Sequence, residues 1–154
     1  GRRLVIGGVE IPHTCGLLGH SDADVLIHAL CDALLGAVAD GDIGTHFPDR
    51  DPQWKDADST VLLRQVTERL TQAGWRILNT DATVVTEAPR LAPYIPSMRT
   101  RLAEVMGLDP SRVSVKAKSN EGMDAVGRRE GIAAMAVATV CRVSAANLSL
   151  SGDP

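Results

Sequence analysis

The sequence predicts an α+β fold: a mixed β-sheet with helices packed on one face, an α/β sandwich. Three observations carry this. Strand-like and helix-like patterns follow in the order strand, helix, helix, strand, helix, strand, strand. No repeat, low-complexity stretch or linker divides them, and 154 residues suit one domain. The last strand pattern is apolar on both sides, so one of its faces needs cover beyond the helical layer, which neighbouring subunits would supply.

The elements follow in order. Residues 4–9 read as a strand, with a possible continuation to 11, and 12–19 as a loop. Ser21 and Asp24 form a capping pair, so the first helix is expected over 22–39 with Leu26, Ala29, Leu30, Ala33, Leu34 and Ala37 buried. A long polar loop with Gly41, Gly44, Pro48 and Pro52 leads to a second helix from Ser59, closed by Gly74. Residues 75–86 turn β-branched and read as a strand; Pro89, Pro93 and Pro96 punctuate the next connection. A third helix over 95–106 is closed by Gly107, and 113–118 alternate as a strand. Residues 132–143 form the last, apolar strand. The domain is thus expected over 1–143, with 144–154 a tail that has little to bury.

Hydrophobic residues make up 44% of the chain and charged residues 23%, as in ordinary soluble proteins. A net charge of −3 argues against a nucleic-acid surface, and no apolar run is long enough for a bilayer. No secretory signal is visible. Cys15, Cys31 and Cys141 form no Cys-x-x-Cys and read as reduced, mostly buried thiols, which points to the cytoplasm. Phe47, the single phenylalanine, sits in a loop, where lining a pocket and packing over the loop are both open.

The chemistry concentrates in His20-Ser21-Asp22-Ala23-Asp24-Val25-Leu26-Ile27-His28. On a helix, Asp24, His28 and Asp32 recur every four residues and share a face, so the carboxylates could orient the His28 ring for metal or phosphate chemistry. Cys31 also lies near enough to be a ligand. Asp40, Asp42, His46, Asp49 and Asp51 continue the polar cluster. Glu87 to Pro93 forms a proline-stiffened connection whose backbone could read a base edge. Lys116-Ala117-Lys118-Ser119-Asn120-Glu121-Gly122 ends a strand with cations, a hydroxyl and a carboxylate, and Gly127-Arg128-Arg129-Glu130-Gly131 adds charge beyond it. Each segment has a plainer reading: a polar stripe meeting water, a turn, a rigid connector. Together they fit a site for a small, phosphorylated, hydroxylated ligand with a divalent metal.

Gly19-His20-Ser21-Asp22-Ala23-Asp24-Val25, His28-Ala29-Leu30-Cys31-Asp32-Ala33-Leu34-Leu35-Gly36, Gly41-Asp42-Ile43-Gly44, Phe47-Pro48-Asp49, Ala88-Pro89 with Pro93, and Gly127-Arg128 with Glu130-Gly131 resemble the 2-C-methyl-D-erythritol 2,4-cyclodiphosphate synthase family, in order and over almost the whole chain. The resemblance implies a homotrimeric lyase of non-mevalonate isoprenoid biosynthesis. Its substrate is the cytidine diphosphate derivative 4-diphosphocytidyl-2-C-methyl-D-erythritol 2-phosphate, and its sites lie between subunits, each with Zn2+ and a second divalent cation, Mg2+ or Mn2+. It implies His28 as a zinc ligand and Glu121 at the second cation. His20 and Ser119 stabilise the transition state. Asp42, Ile43 and Gly44, with Phe47, Pro48, Asp49, Arg50 and Asp51, form the methylerythritol-binding loop, and His20 and Ser21 also bind substrate. Thr86, Glu87, Ala88, Pro89, Arg90, Leu91 and Ala92 form the cytidine pocket. Lys118, Ser119, Asn120 and Glu121 hold the diphosphate, and Ala125 and Arg128 complete the substrate-binding set. Two further zinc ligands are expected in an Asp-x-His motif on a strand just before Gly1. Ser119 stands where many members have Thr, and Ala125 replaces an aromatic residue near the trimer axis. A non-catalytic cytidine-nucleotide-binding protein on the same fold and a metal phosphoesterase are the alternative readings.

Overall fold

The computed structural model describes residues 3–13 and 23–144. The first strand pattern folds as a hairpin rather than one strand. β1 (Leu4–Ile6) pairs antiparallel with β2 (Val9–Ile11). Gly7 and Gly8 both take positive φ, +62° and +73°, the geometry a two-residue hairpin turn requires. The turn is also tightly packed: a Cβ on Gly7 would lie 2.9 Å from the Met98 side chain. Leu4, Ile6 and Ile11 enter the core.

α1 spans Val25–Ala37. Its N-cap is Asp24, whose side chain accepts from the Ile27 amide at 3.0 Å. This corrects the expected start at Asp22 under a Ser21 cap; both residues lie outside the described ones. The buried stripe is Leu26, Ile27, Leu30, Cys31, Leu34 and Leu35, while Ala29 and Ala33 are half-buried and Ala37 is exposed. The helix turns its largest apolar side chains inward, which rotates the stripe away from the alanines.

A single turn, α2 (Ile43–His46), and α3 (Ser59–Gln72) follow. Asp58 caps α3, and Gly74 at φ +87° ends it, as expected. β3 spans Trp75–Val85, and α4 spans Ile95–Met106 with Gly107 as its left-handed cap. β4 is Val113–Lys118, α5 is the short turn Asp124–Gly127, and β5 is Ala133–Arg142.

The main sheet has the order β4-β3-β5, with β3 parallel to β4 and antiparallel to β5. It is mixed, as expected, but the N-terminal hairpin forms a sheet of its own. Ala82, Val84, Val113 and Val115 are buried, and Ala134, Ala136, Ala138 and Val140 pack on the core beside α1. The alanines let the helix approach the strand closely. On the opposite face Met135 and Val137 are 64% and 70% exposed, and Asp81 pairs with Lys116 at 2.8 Å. The helical layer therefore covers one face of the sheet. The last strand is apolar on both sides over Ala134–Val137, as the sequence predicts, and Thr139 adds a hydroxyl to the outer face.

Candidate active site

The first group of site residues gathers on α1 and the loop after it. His28 Nε2 lies 3.2 Å from Ser59 Oγ at the start of α3. Asp32 accepts from the Ile43 amide at 2.8 Å, which ties α1 to the Asp42-Ile43-Gly44 turn. Asp24 is fully buried, and its carboxylate accepts from the amides of Gly7 and Gly8. Both give carboxylate oxygens to backbone amides of other segments, Asp24 to the N-terminal hairpin and Asp32 to the turn after α1.

Asp42 caps α2, accepting from both the amide and the hydroxyl of Thr45, which lowers its carboxyl below the usual range. Phe47 is a core residue, packed edge-on against Trp54 with ring centroids 4.8 Å apart. Pro48 is half-buried, and Asp49 and Arg50 are exposed. Asp51 caps the turn Pro52–Trp54 through the Gln53 amide. His46 Nε2 bonds the Asp40 carbonyl oxygen at 2.7 Å, and Asp40 pairs with Arg69. Cys31 is buried, and burial pushes its thiol well above the ordinary range, which disfavours the thiolate a metal would need.

The second group forms where parallel strands β3 and β4 end together, Val85 opposite Lys118. The Thr86 amide donates to the Lys118 carbonyl oxygen at 2.9 Å, and the Thr86 hydroxyl donates to that of Ala88 at 2.7 Å. The Ala88–Pro89 bond is cis. Arg90 and Ala92 are exposed, and Leu91 is buried. Ser119 Oγ accepts from the Glu121 amide at 3.2 Å, and the Asn120 side chain donates to the Met123 carbonyl oxygen at 2.8 Å. Lys118, Ser119, Glu121 and Ala125 are exposed. Gly127 is demanded by space: a Cβ there would lie 2.1 Å from the Gly122 carbonyl carbon. Arg128 grips Glu130 through two bonds, of 3.0 and 3.3 Å.

His20 and Ser21 lie outside the described residues. The bonds above fall into two sets, one built on α1 and its loop, the other on the strand ends. Among the described residues no three His, Cys, Asp or Glu side chains converge on one point, so His28 has no complete metal centre around it there. A cavity of about 460 Å³ lies at the opposite end of the sheet, beside Trp75, Met106 and Arg142, and contains none of the expected site residues. Sequence reasoning missed Ser59 beside His28 and Trp54 beside Phe47; no spacing in the chain signals either.

Fold and site together describe an α+β protein with a polar turn at paired strand ends and a histidine on a capped helix. Residues 1–141 match the YgbB family model. The 2-C-methyl-D-erythritol 2,4-cyclodiphosphate synthase of Syntrophomonas wolfei is 59% identical over 140 residues, 91% of this chain and 89% of that protein. Among solved structures, the bifunctional IspDF from Campylobacter jejuni superposes with TM-score 0.89 at 38% identity, over 93% of this chain and 39% of that one. A 2C-methyl-D-erythritol-2,4-cyclodiphosphate synthase in a CDP-bound form superposes with TM-score 0.84 at 35% identity, over 92% and 91% of the two chains. The chain belongs to the YgbB family, that of the 2-C-methyl-D-erythritol 2,4-cyclodiphosphate synthases.

Proposed function

We propose that this chain is a phosphorus–oxygen lyase that cyclises 4-diphosphocytidyl-2-C-methyl-D-erythritol 2-phosphate to 2-C-methyl-D-erythritol 2,4-cyclodiphosphate and CMP in isoprenoid biosynthesis. One observation supports it most. Residues 86–92 and 118–122 are knitted into one unit at the shared end of two parallel strands, in a chain similar to a CDP-bound synthase.

The chemistry needs no protein nucleophile. An oxygen of the 2-phosphate attacks the β-phosphorus, and the bond from that phosphorus to the bridging oxygen breaks. CMP leaves with the bridging oxygen. The barrier is the approach of two anions, so positioning and charge stabilisation do the catalysis. Ser119 suits this role: its Oγ accepts from the Glu121 amide, which leaves the hydroxyl hydrogen free to donate to a phosphate oxygen. Lys118 brings a cation to the same turn. His20 is the proposed partner of Ser119. Asp42, Ile43 and Gly44, with residues 47–51, take the methylerythritol side, though Phe47 and Asp51 do so as framework. Residues 86–92 take the cytidine.

His28 supplies one zinc ligand, and a zinc ion there needs further ligands from outside the described residues. Glu121 offers a carboxylate to a second divalent cation, Mg2+ or Mn2+. Bound divalent cations would neutralise phosphate charge. The exposed Met135 and Val137 support a homotrimer in which neighbouring copies cover the outer face of the sheet. The α1 group of one copy and the strand-end group of the next would then form one site. No helix among the described residues is long and apolar enough to cross a membrane, and the proposed location is the cytoplasm.

The test is direct. The protein, with Zn2+ and Mg2+, is given the substrate and followed by phosphorus NMR. CMP and a cyclic diphosphate in equal amounts are expected. Release of inorganic phosphate would instead make it a phosphoesterase, and CDP binding without turnover a nucleotide-binding protein.

A further inference from the structure

Glu87 stands in the connection the resemblance gives to cytidine, yet its carboxylate is engaged elsewhere. Oε1 accepts from the Asn120 amide at 2.6 Å and lies 3.4 Å from the Gly122 amide nitrogen. These two amides flank Glu121. Glu121 itself sits at φ +52°, a left-handed conformation that non-glycine residues rarely adopt, and Gly122 follows at +77°. Its amide, turned the other way, donates to Ser119 Oγ. Successive amides that converge on an anion form a nest, a site proteins commonly use for phosphate. Here the anion is the protein's own carboxylate.

We infer that Glu87 is a positioning residue: one carboxylate from the base-side connection clamps the backbone on both sides of Glu121 and so aims Ser119 and Glu121 at the phosphates. The inference rests on the cyclase reading for what is aimed, but not for the clamp. It separates the two roles of the strand-end unit. The amides of Asn120 and Gly122 are occupied from within the chain, and the Asn120 side chain is held by Met123. Phosphate must then be met by the Ser119 hydroxyl and the Lys118 ammonium rather than by the turn's backbone. A base held by residues 86–92 and the phosphates held by 118–121 keep a fixed separation, because one side chain joins the two segments.

The test compares Glu87→Ala and Glu87→Gln in the full chain. Amide hydrogen exchange reads the clamp without reference to activity. In Glu87→Ala the Asn120 amide should lose at least about tenfold in protection. In the same variant kcat should fall on the order of 10- to 100-fold with a smaller change in CDP affinity, because the loss is one of aim rather than of binding. Half-maximal Mg2+ should rise as Glu121 loses its placement. Glu87→Gln keeps an acceptor oxygen and should recover the protection and most of the turnover. If Glu87→Ala does not fold, Glu87→Ser, too short to reach Asn120, reads the same amides. Unchanged Asn120 protection in the Ala or Ser variant overturns the inference. So does a fall confined to CDP affinity, which would make Glu87 a base contact. A wild-type protein that makes no CMP would fail the functional reading, while the exchange result would still decide the clamp.

Discussion

The carboxylate of Asp24 reaches back to the N-terminal hairpin: Oδ1 accepts the Gly7 amide at 2.9 Å and Oδ2 the Gly8 amide at 2.8 Å. The same side chain caps α1 through the Ile27 amide. One buried group thus locks the hairpin turn to the helix that carries His28.

Removing that group should be costly. Asp24→Ala deletes the cap and strands hairpin amides in a buried place, an expected loss of about 3 kcal/mol or more. Asp24→Asn keeps an acceptor oxygen and should lose roughly half as much. Urea unfolding at fixed protein concentration measures both. A loss under about 1 kcal/mol in the Ala variant would contradict the lock.

Ser119→Ala should lower turnover roughly 10- to 1,000-fold with little change in thermal stability, because the hydroxyl acts on transition-state charge. Ser119→Thr keeps the hydroxyl and should be tolerated. Steady-state rates of CMP release decide it, and unchanged turnover in the Ala variant removes Ser119 from the mechanism.

Met135 and Val137 lie on the face of β5 turned away from the helices. If neighbouring copies cover them, Met135→Lys with Val137→Lys should break the trimer and abolish turnover while leaving the fold largely intact by circular dichroism. Analytical ultracentrifugation is the measurement. A wild-type protein that sediments as a stable monomer at micromolar concentration would count against the covered face.

Stability should fall in acid. Asp40 is held below the usual carboxylate range by its hydrogen bond to Arg69, Asp42 by Thr45, Asp81 by Lys116 and Asp109 by Ser111. All four shifts are downward, so the unfolded chain takes up protons first as pH drops. The stabilisation is fully present above the unfolded value of about 3.9 and is lost as pH falls through the lower folded values. Asp40→Asn should therefore be less stable than wild type at pH 7 and differ less from it near pH 2. Stability that rises between pH 5 and pH 3 would contradict the assignment.

Cys31 should resist thiol reagents in the folded protein, since it is buried and its thiol is held protonated. Cys141, partly exposed, should react before Cys31. Peptide mass spectrometry after brief labelling distinguishes them. Rapid native labelling of Cys31 would show that α1 opens more readily than its packing implies.

Local rules made much of this molecule legible from residues alone. The bounds of α4 and β4 and the glycines closing α3 and α4 follow from short-range periodicity and capping, which depend on neighbours in sequence. The specific family motifs did the same for the function. Partners distant along the chain were not legible. Asp24 read as a neighbour of His28, and only the folded hairpin brought the Gly7 and Gly8 amides, 17 and 16 residues away, to its carboxylate. Phe47 had no visible partner until Trp54 folded over it. Glu87 read as part of a base pocket, and only the parallel alignment of β3 with β4 brought the Asn120 amide within 2.6 Å of it. Contacts across dozens of residues depend on how strands pair and helices stack, and no spacing along the chain encodes that distance.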